Sequence, residues 1–574
     1  MYKPAPARPK KTNIVRSRNG CKSCRERKSK CDEKQPTCGT CARLGKTCER
    51  YRPEFKFQAV NPANQGGHSS TESPKSNHAG VQTVARIQPD SYMRRASFNL
   101  GNIDIIKSLQ HSERDIFYST VWEDHCLPAM HPIFQALSTK LFDHSILSDA
   151  TLALSSCSFS RLQPEQKVSV TSAMGSLSPH LIHQRRSQLY YSSAIQRFAS
   201  LSEMELYSNP TAILTVLVIF AHIECSMGNF QGFYCHDQGI TTLSSQLGIG
   251  LKVELEALLA SWIQVRLVIW WARIHFCTSE VQLHFPPDLP SGISMEEFNP
   301  VHGRRVTVLS IMCKSHHLNF SALLRYWDTG VLGSNSNAQD VSLASEYIES
   351  VFHALAEQGR KLDKWVESLP IHELPIGWPN GGQEIHDINL QTPIFFRSHE
   401  AALNFAYYTV GRIMQCKGLL HSLAELGTPH SYNFQDEEAW ASVLLRIAKG
   451  TDMVTSLSMN SYTIGFSGLL LSALLRCQSQ AIAIEIQNWL QGLEALKPTE
   501  EGAFPLYQSL RVVNIINRQK RAGRDVLAVT MSVDDEGGSP KINSYSSQAI
   551  LGLLFQGIVR ESGDLFTDYL TMDP

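Results

Sequence analysis

Six cysteines lie close together near the start of the 574-residue chain: Cys21, Cys24, Cys31, Cys38, Cys41 and Cys48. Their spacing is C-x2-C-x6-C-x6-C-x2-C-x6-C, so Cys21/Cys24/Cys31 repeats as Cys38/Cys41/Cys48 at an offset of 17 residues. A single four-cysteine metal site would leave two thiols idle, and two independent ones would need eight ligands. Six thiolates serve two tetrahedral Zn2+ ions if two sulfurs bridge, which gives each metal four ligands. The sum of two Zn2+ and six thiolates is a formal charge of −2, which neighbouring cations offset while keeping the thiols ionised. Disulfides would require an oxidising compartment. The opening residues, MYKPAPARPKKTNIVRSRNG, carry prolines and cations but no apolar leader segment, so an intracellular chain with reduced thiols is expected.

The cations that the cluster requires are present. Residues 1–52 hold 16 Lys or Arg against 4 Asp or Glu, while the rest of the chain holds 37 against 49. The net charge of zero therefore conceals a basic module joined to an acidic body. The two six-residue loops also differ. Cys24–Cys31 encloses Arg25, Arg27, Lys28 and Lys30 with one acid, Glu26, whereas Cys41–Cys48 encloses only Arg43 and Lys46. The run Arg-Glu-Arg-Lys-Ser-Lys has no Gly or Pro and suits a short helix, too short to persist unless metal ligands hold both ends. Cations on such a helix fit phosphates and base edges of duplex DNA, where Lys and Arg pair best with guanine O6 and N7. A solvated face or a nuclear import signal would use the same residues.

The stretch CKSCRERKSKCDEKQPTCGTCARLGKTC resembles the fungal binuclear zinc-cluster (Zn2Cys6) transcription factors in its cysteine spacing, its basic run and its loop proline, Pro36. The resemblance implies two Zn2+, with Cys21 and Cys38 as bridging ligands. Cys24 and Cys31 would complete one site, and Cys41 and Cys48 the other. It also implies a nuclear, sequence-specific factor for RNA polymerase II genes that reads CGG-type triplets with its first helix in the major groove. Carried onto this chain, Lys28 is the base reader, and Arg25, Arg27 and Lys30 are phosphate contacts. Arg16, Arg18, Lys10 and Lys11 would add a basic arm.

These residues need elements to position them. The expected organisation is a basic flexible arm at 1–18, the zinc cluster at 19–52, a disordered linker at 53–102, and an all-α body at 103–574. The linker is rich in Ser, Asn, Gly and Pro. It shows no sustained heptad repeat between residues 50 and 100, so a coiled-coil dimer is not supported and homodimerisation stays open. Arg94-Arg95-Ala96-Ser97 fits a basophilic kinase site, and a phosphate on Ser97 would oppose nearby cations. Ser97→Asp should then weaken DNA contact. Unaltered activity and localisation in that variant would contradict it.

Beyond the linker, helical periodicity runs from Ser112–His125 through Ser178–Leu201, Thr211–Met227, Gln231–Leu247 and Glu256–Val281 to Ser547–Leu570, with six further segments between. The apolar runs Thr211–Phe220 and Leu267–Trp271 fall short of a membrane span. ALSSCS at 153–158, QGFYCHDQGITTLSSQLG at 231–248 and SWIQVRLVIWWARIHF at 261–276 resemble the fungal-specific transcription factor domain of the same proteins, which implies a regulatory body that contacts the transcription machinery or coactivators. No small-molecule inducer is legible. The eight remaining cysteines are expected to be small buried hydrophobes.

No Walker loop, G-x-G-x-x-G, G-x-S-x-G or H-E-x-x-H occurs, so no catalysis is expected. His316-His317 reads as helix surface, Trp262, Trp270 and Trp271 as core, and His222, Glu224 and Arg266 as paired helix residues. Residues 555–574, ending ESGDLFTDYLTMDP, have the composition of an acidic-hydrophobic activation segment. The alternative overall reading is a zinc-cluster scaffold that binds other proteins. RNA is disfavoured because the basic run carries no stacking aromatics.

Overall fold

A computed structural model describes most of residues 21–48 and, with interruptions, 111–571. The chain divides into two units, Met1–Asn99 and Leu100–Pro574. The arm, the linker with Ser97, Pro36, Cys277, and the basic residues Arg16, Arg18, Arg27, Lys28 and Lys30 lie outside the described residues.

The first unit contains two short helices, Lys22–Glu26 and Gly39–Arg43. Among the described residues its core consists of cysteines: Cys21, Cys24, Cys31, Cys38 and Cys41, with Cys48 half-buried against them. So small a chain cannot bury enough apolar surface to hold a fold, and a thiol core of this kind depends on metal.

The second unit is mostly helical. Its centre is the helix Pro210–Met227, with proline at its first position and the Asn209 side chain accepting the Ala212 N–H at 3.2 Å. This helix is apolar all round because helices surround it. Ser145–Leu162, Phe230–Leu247 and Val253–Ile274 pack on it. Over 18 residues its mean hydropathy is 1.7, enough by length and composition to cross a bilayer, which corrects the expectation drawn from the shorter apolar runs. It is 78% buried inside the body, where it serves as a core helix. Pro300–Val331 and His399–Gln415 pack against each other further along, and the main apolar cluster runs from Val121 to Phe566, with smaller clusters beside it.

The all-α expectation is corrected at the C-terminal end. Arg524–Thr530, Gly552–Val559 and Leu565–Thr571 form a three-stranded antiparallel sheet in that order, and two pairs of two-residue strands occur elsewhere among the described residues. The helix expected at Ser547–Leu570 is therefore a pair of strands. The turn between them carries Gly563 at φ +74°, with the Gly563 N–H donating to the Val559 carbonyl at 2.8 Å. A left-handed residue here suits glycine. Phe555 and Phe566, within the segment of activation-type composition, are buried in this sheet.

Among the helices outside the expected segments are Ile133–Leu141, Ser145–Leu162, Glu203–Ser208 and Leu506–Arg521. One of the six further expected segments, Glu437–Ser458, splits into Gln435–Gly450 and Met453–Met459, where Asp452 caps a new helix by accepting the Thr455 N–H at 2.8 Å.

Candidate metal centre

The six thiols come from the residue before each helix (Cys21, Cys38), the helices themselves (Cys24, Cys41) and the chain that follows each (Cys31, Cys48). Their local bonding repeats with the 17-residue period of the sequence. The Cys21 N–H donates to Cys31 Sγ at 3.5 Å, and the Cys38 N–H donates to Cys48 Sγ at 3.3 Å. The Ser29 N–H donates to the Cys24 carbonyl at 3.0 Å, and the Lys46 N–H to the Cys41 carbonyl at 3.1 Å. Two equivalent half-motifs are thus folded alike and placed face to face.

Two groups of four sulfurs result: Cys21, Cys24, Cys31 and Cys38, and Cys21, Cys38, Cys41 and Cys48. Within each group the ligand atoms lie within 4.8 Å of one another, and Cys21 and Cys38 are common to both. Sγ–Sγ separations are 3.8 Å for Cys21–Cys38, 3.7 Å for Cys24–Cys38 and 3.6 Å for Cys21–Cys41. A Zn–S bond of about 2.3 Å makes the edge of a regular tetrahedron roughly 3.8 Å. A disulfide would need a separation of about 2.05 Å. The donor set therefore fits two tetrahedral zinc ions that share two sulfurs.

The electrostatics point the same way. Cys38 occupies the N-cap of Gly39–Arg43, and its sulfur accepts the Cys41 N–H at 3.3 Å. That N–H, with the other thiols, lowers the Cys38 thiol to about 6 despite its burial. Burial pushes the Cys41 and Cys21 thiols up. Metal ligation requires thiolates, so zinc binding releases protons and weakens as pH falls.

The Asp32 carboxylate braces the second half by accepting the Gly39 N–H through both oxygens, at 2.9 and 3.1 Å. A Cβ on residue 39 would lie 2.8 Å from Asp32 Oδ2, so glycine allows that approach. Ser23 Oγ donates to the Thr47 carbonyl at 2.7 Å and ties the halves together. These supports were missed from sequence, since a contact across seven or 24 residues leaves no local signal. Among the residues expected to touch DNA, only the backbone of Arg25, on Lys22–Glu26, is described.

In the body, the named residues do not converge on a reactive site. Trp262, Trp270 and Trp271 are buried core, as expected. His316 is buried as well, 5.0 Å from the Trp271 ring and stacked on Phe320, which corrects the surface reading. Of His222, Glu224 and Arg266, expected to be paired, Arg266 and Glu224 have partners on other helices. Arg266 bonds Asp237, Glu224 accepts the Tyr191 hydroxyl at 2.6 Å, and burial lowers His222 to about 3. Of the scattered cysteines, Cys126, Cys157, Cys313 and Cys477 are buried, Cys225 and Cys416 are half-buried, and Cys235 is exposed.

Residues 19–57 match the family model of the fungal Zn(2)-Cys(6) binuclear cluster domain, and this part of the chain carries that domain, five residues longer than the expected limit at 52. The relatives are transcription regulators. The chain is 55% identical over 64 residues to the lysine biosynthesis regulatory protein LYS14 of Saccharomyces cerevisiae, covering 11% of this chain and 7% of that protein. It is 44% identical over 57 residues to the transcription activator AMTR1 of Alternaria alternata, covering 10% and 7%. With the C6 finger domain transcription factor hasF of Aspergillus fumigatus, identity is 26% over 136 residues, covering 24% and 17%. The chain thus spans less than a fifth of the length of these relatives. No solved structure matches it. The domain binds two zinc ions, and its relatives are regulators rather than enzymes, in line with the expectation of no catalysis.

Proposed function

We propose that this chain is a nuclear, sequence-specific DNA-binding transcription factor. Two Zn2+ are held by Cys21, Cys24, Cys31, Cys38, Cys41 and Cys48, with Cys21 and Cys38 bridging. The observation that carries the reading is the pair of four-thiol groups sharing two sulfurs at tetrahedral spacing, beside a loop with four cations. The metals fix both ends of the segment from Cys24 to Cys31. Lys28 then reads guanine in CGG-type triplets, Arg25, Arg27 and Lys30 hold phosphates, and Arg16 and Arg18 follow the backbone. The body acts as a fungal-specific regulatory domain that contacts coactivators or the transcription machinery at RNA polymerase II genes. The transcription-regulator names of the relatives support this over a scaffold that binds only proteins.

Selection of duplexes from a random pool, with and without a chelator, tests the reading. CGG-containing duplexes are expected to enrich only with zinc present, and an absence of enrichment overturns it. In the same pool Lys28→Ala should cost about 1–3 kcal/mol and relax the base preference. Unchanged selectivity would remove Lys28 from that role.

A further inference from the structure

The helix Gln435–Gly450 starts with three consecutive acids, Asp436, Glu437 and Glu438. Asp436 is exposed and Glu438 half-buried, but Glu437 is only 2% exposed. Its Oε1 has no hydrogen-bond partner, and no cation among the described residues forms an ion pair with it. A carboxylate removed from water is costly unless it is paired, and two like charges on the same turn add to the cost.

The groups that face Glu437 do not offset that cost. Just past the end of His399–Gln415 stands the Cys416 thiol, which burial pushes up and so keeps neutral. Arg412, one turn earlier, is paired with Asp363. Past the end of Phe466–Leu474 stands Arg476, which is 3% exposed. Its guanidinium donates to Asn319 Oδ1 at 2.8 Å and to the Leu475 and Leu527 carbonyls at 3.1 and 2.8 Å. Arg476 therefore reaches Glu437 through its field and not through a bond. Lys520, Asp525 and Arg560 face Glu438 instead. On Gln480–Glu494, Glu485 is paired with Lys449 at the other end of the helix. Burial pushes the Glu437 carboxyl up from an ordinary 4.5 to about 7, outweighing the Glu437 and Leu419 N–H groups, which favour the charged form.

We propose that Glu437 is a proton switch built into the body. Its carboxyl is neutral in the folded chain, and loss of that proton loosens the start of Gln435–Gly450 where the helix packs on His399–Gln415 and Phe466–Leu474. The sign follows from linkage. The folded body holds a proton that the unfolded chain has already released. The stabilisation is complete below about 4.5 and is lost as the pH rises through about 7.

Urea unfolding of the full zinc-loaded chain, followed by circular dichroism between about pH 5 and pH 8, tests the proposal. The comparison is with Glu437→Gln, which keeps the shape of the neutral carboxyl and cannot ionise. The unfolding constant of the parent, divided by that of the variant, is expected to rise at least about tenfold across this range. Hydrogen exchange of the parent, corrected for the intrinsic rate, locates the effect. Between about pH 6 and pH 8 the start of Gln435–Gly450 should lose about fivefold more protection than Ser145–Leu162. A ratio that stays level or declines overturns the proposal. If Glu437→Gln does not fold, hydrogen exchange decides, and equal loss of protection in the two helices overturns it.

Discussion

Serine in place of Cys38 is expected to release both zinc ions and reduce DNA binding by at least about 100-fold, whereas serine in place of Cys24 should leave one ion bound. The difference follows from geometry. Cys38 belongs to both four-thiol groups and Cys24 to one. The Cys38 sulfur also accepts the Cys41 N–H that organises the second helix, so its removal disturbs both halves. Apparent binding of a structural zinc is worth roughly 10–16 kcal/mol, and in a module whose core is cysteine this is also its folding energy. Native mass spectrometry should count no zinc in Cys38→Ser and one in Cys24→Ser, and a binding assay should rank the two accordingly. Equal losses would contradict shared sulfurs.

The second large effect belongs to the body. Glu501 is completely buried. Its carboxylate accepts the Phe466 N–H at 3.0 Å, the Ser467 N–H at 2.8 Å, the Ser467 hydroxyl at 2.7 Å and Asn460 Nδ2 at 2.6 Å. It caps the helix Phe466–Leu474, whose own N-cap, Gly465, has no side chain to do so. Two glycines make room for it. A Cβ on Gly465 would lie 2.3 Å from the carboxylate oxygens, and Gly502, at φ +65°, turns the chain directly against Gly465. Glu501→Ala leaves several donors unsatisfied at a dry helix end and opens a cavity. It is expected to destabilise the body by about 3–5 kcal/mol. Glu501→Gln retains part of the bonding and should cost roughly 1–3 kcal/mol. Urea unfolding followed by circular dichroism checks the order. An alanine variant as stable as the parent would show that the capping bonds contribute nothing.

Legibility from sequence varied for physical reasons. Ser145–Leu162 was missed as a helix because it is buried on several sides, and a sequence without a polar face shows no 3.6-residue alternation. The last sheet was misread although its signal is present. Leu553, Phe555 and Gly557 share one face at a period of two, and Ser562-Gly563-Asp564 makes the turn. Both strands are rich in Leu and Phe, which also suit helices, so composition outweighed period. Gly557 reports the packing directly, because a Cβ there would lie 2.0 Å from the Asp525 carbonyl and 2.5 Å from the Phe566 ring. His316 looked like surface because His is polar, and only the positions of Trp271 and Phe320 show that its helix face points inward.

The sequence by itself determined the metal chemistry and its location. Ligand type and spacing are local properties, and tetrahedral zinc admits few ways to use six thiols spaced this way. It also determined that the excess of basic charge lies in residues 1–52 and that the body is mainly helical. Tertiary structure decided which sulfurs the two groups share, because that depends on the two halves facing each other. It likewise decided that Arg524–Thr530, Gly552–Val559 and Leu565–Thr571 form a sheet and that Glu501 holds a helix start. Each of these joins residues distant in the chain, and such contacts are specified by packing rather than by periodicity or spacing.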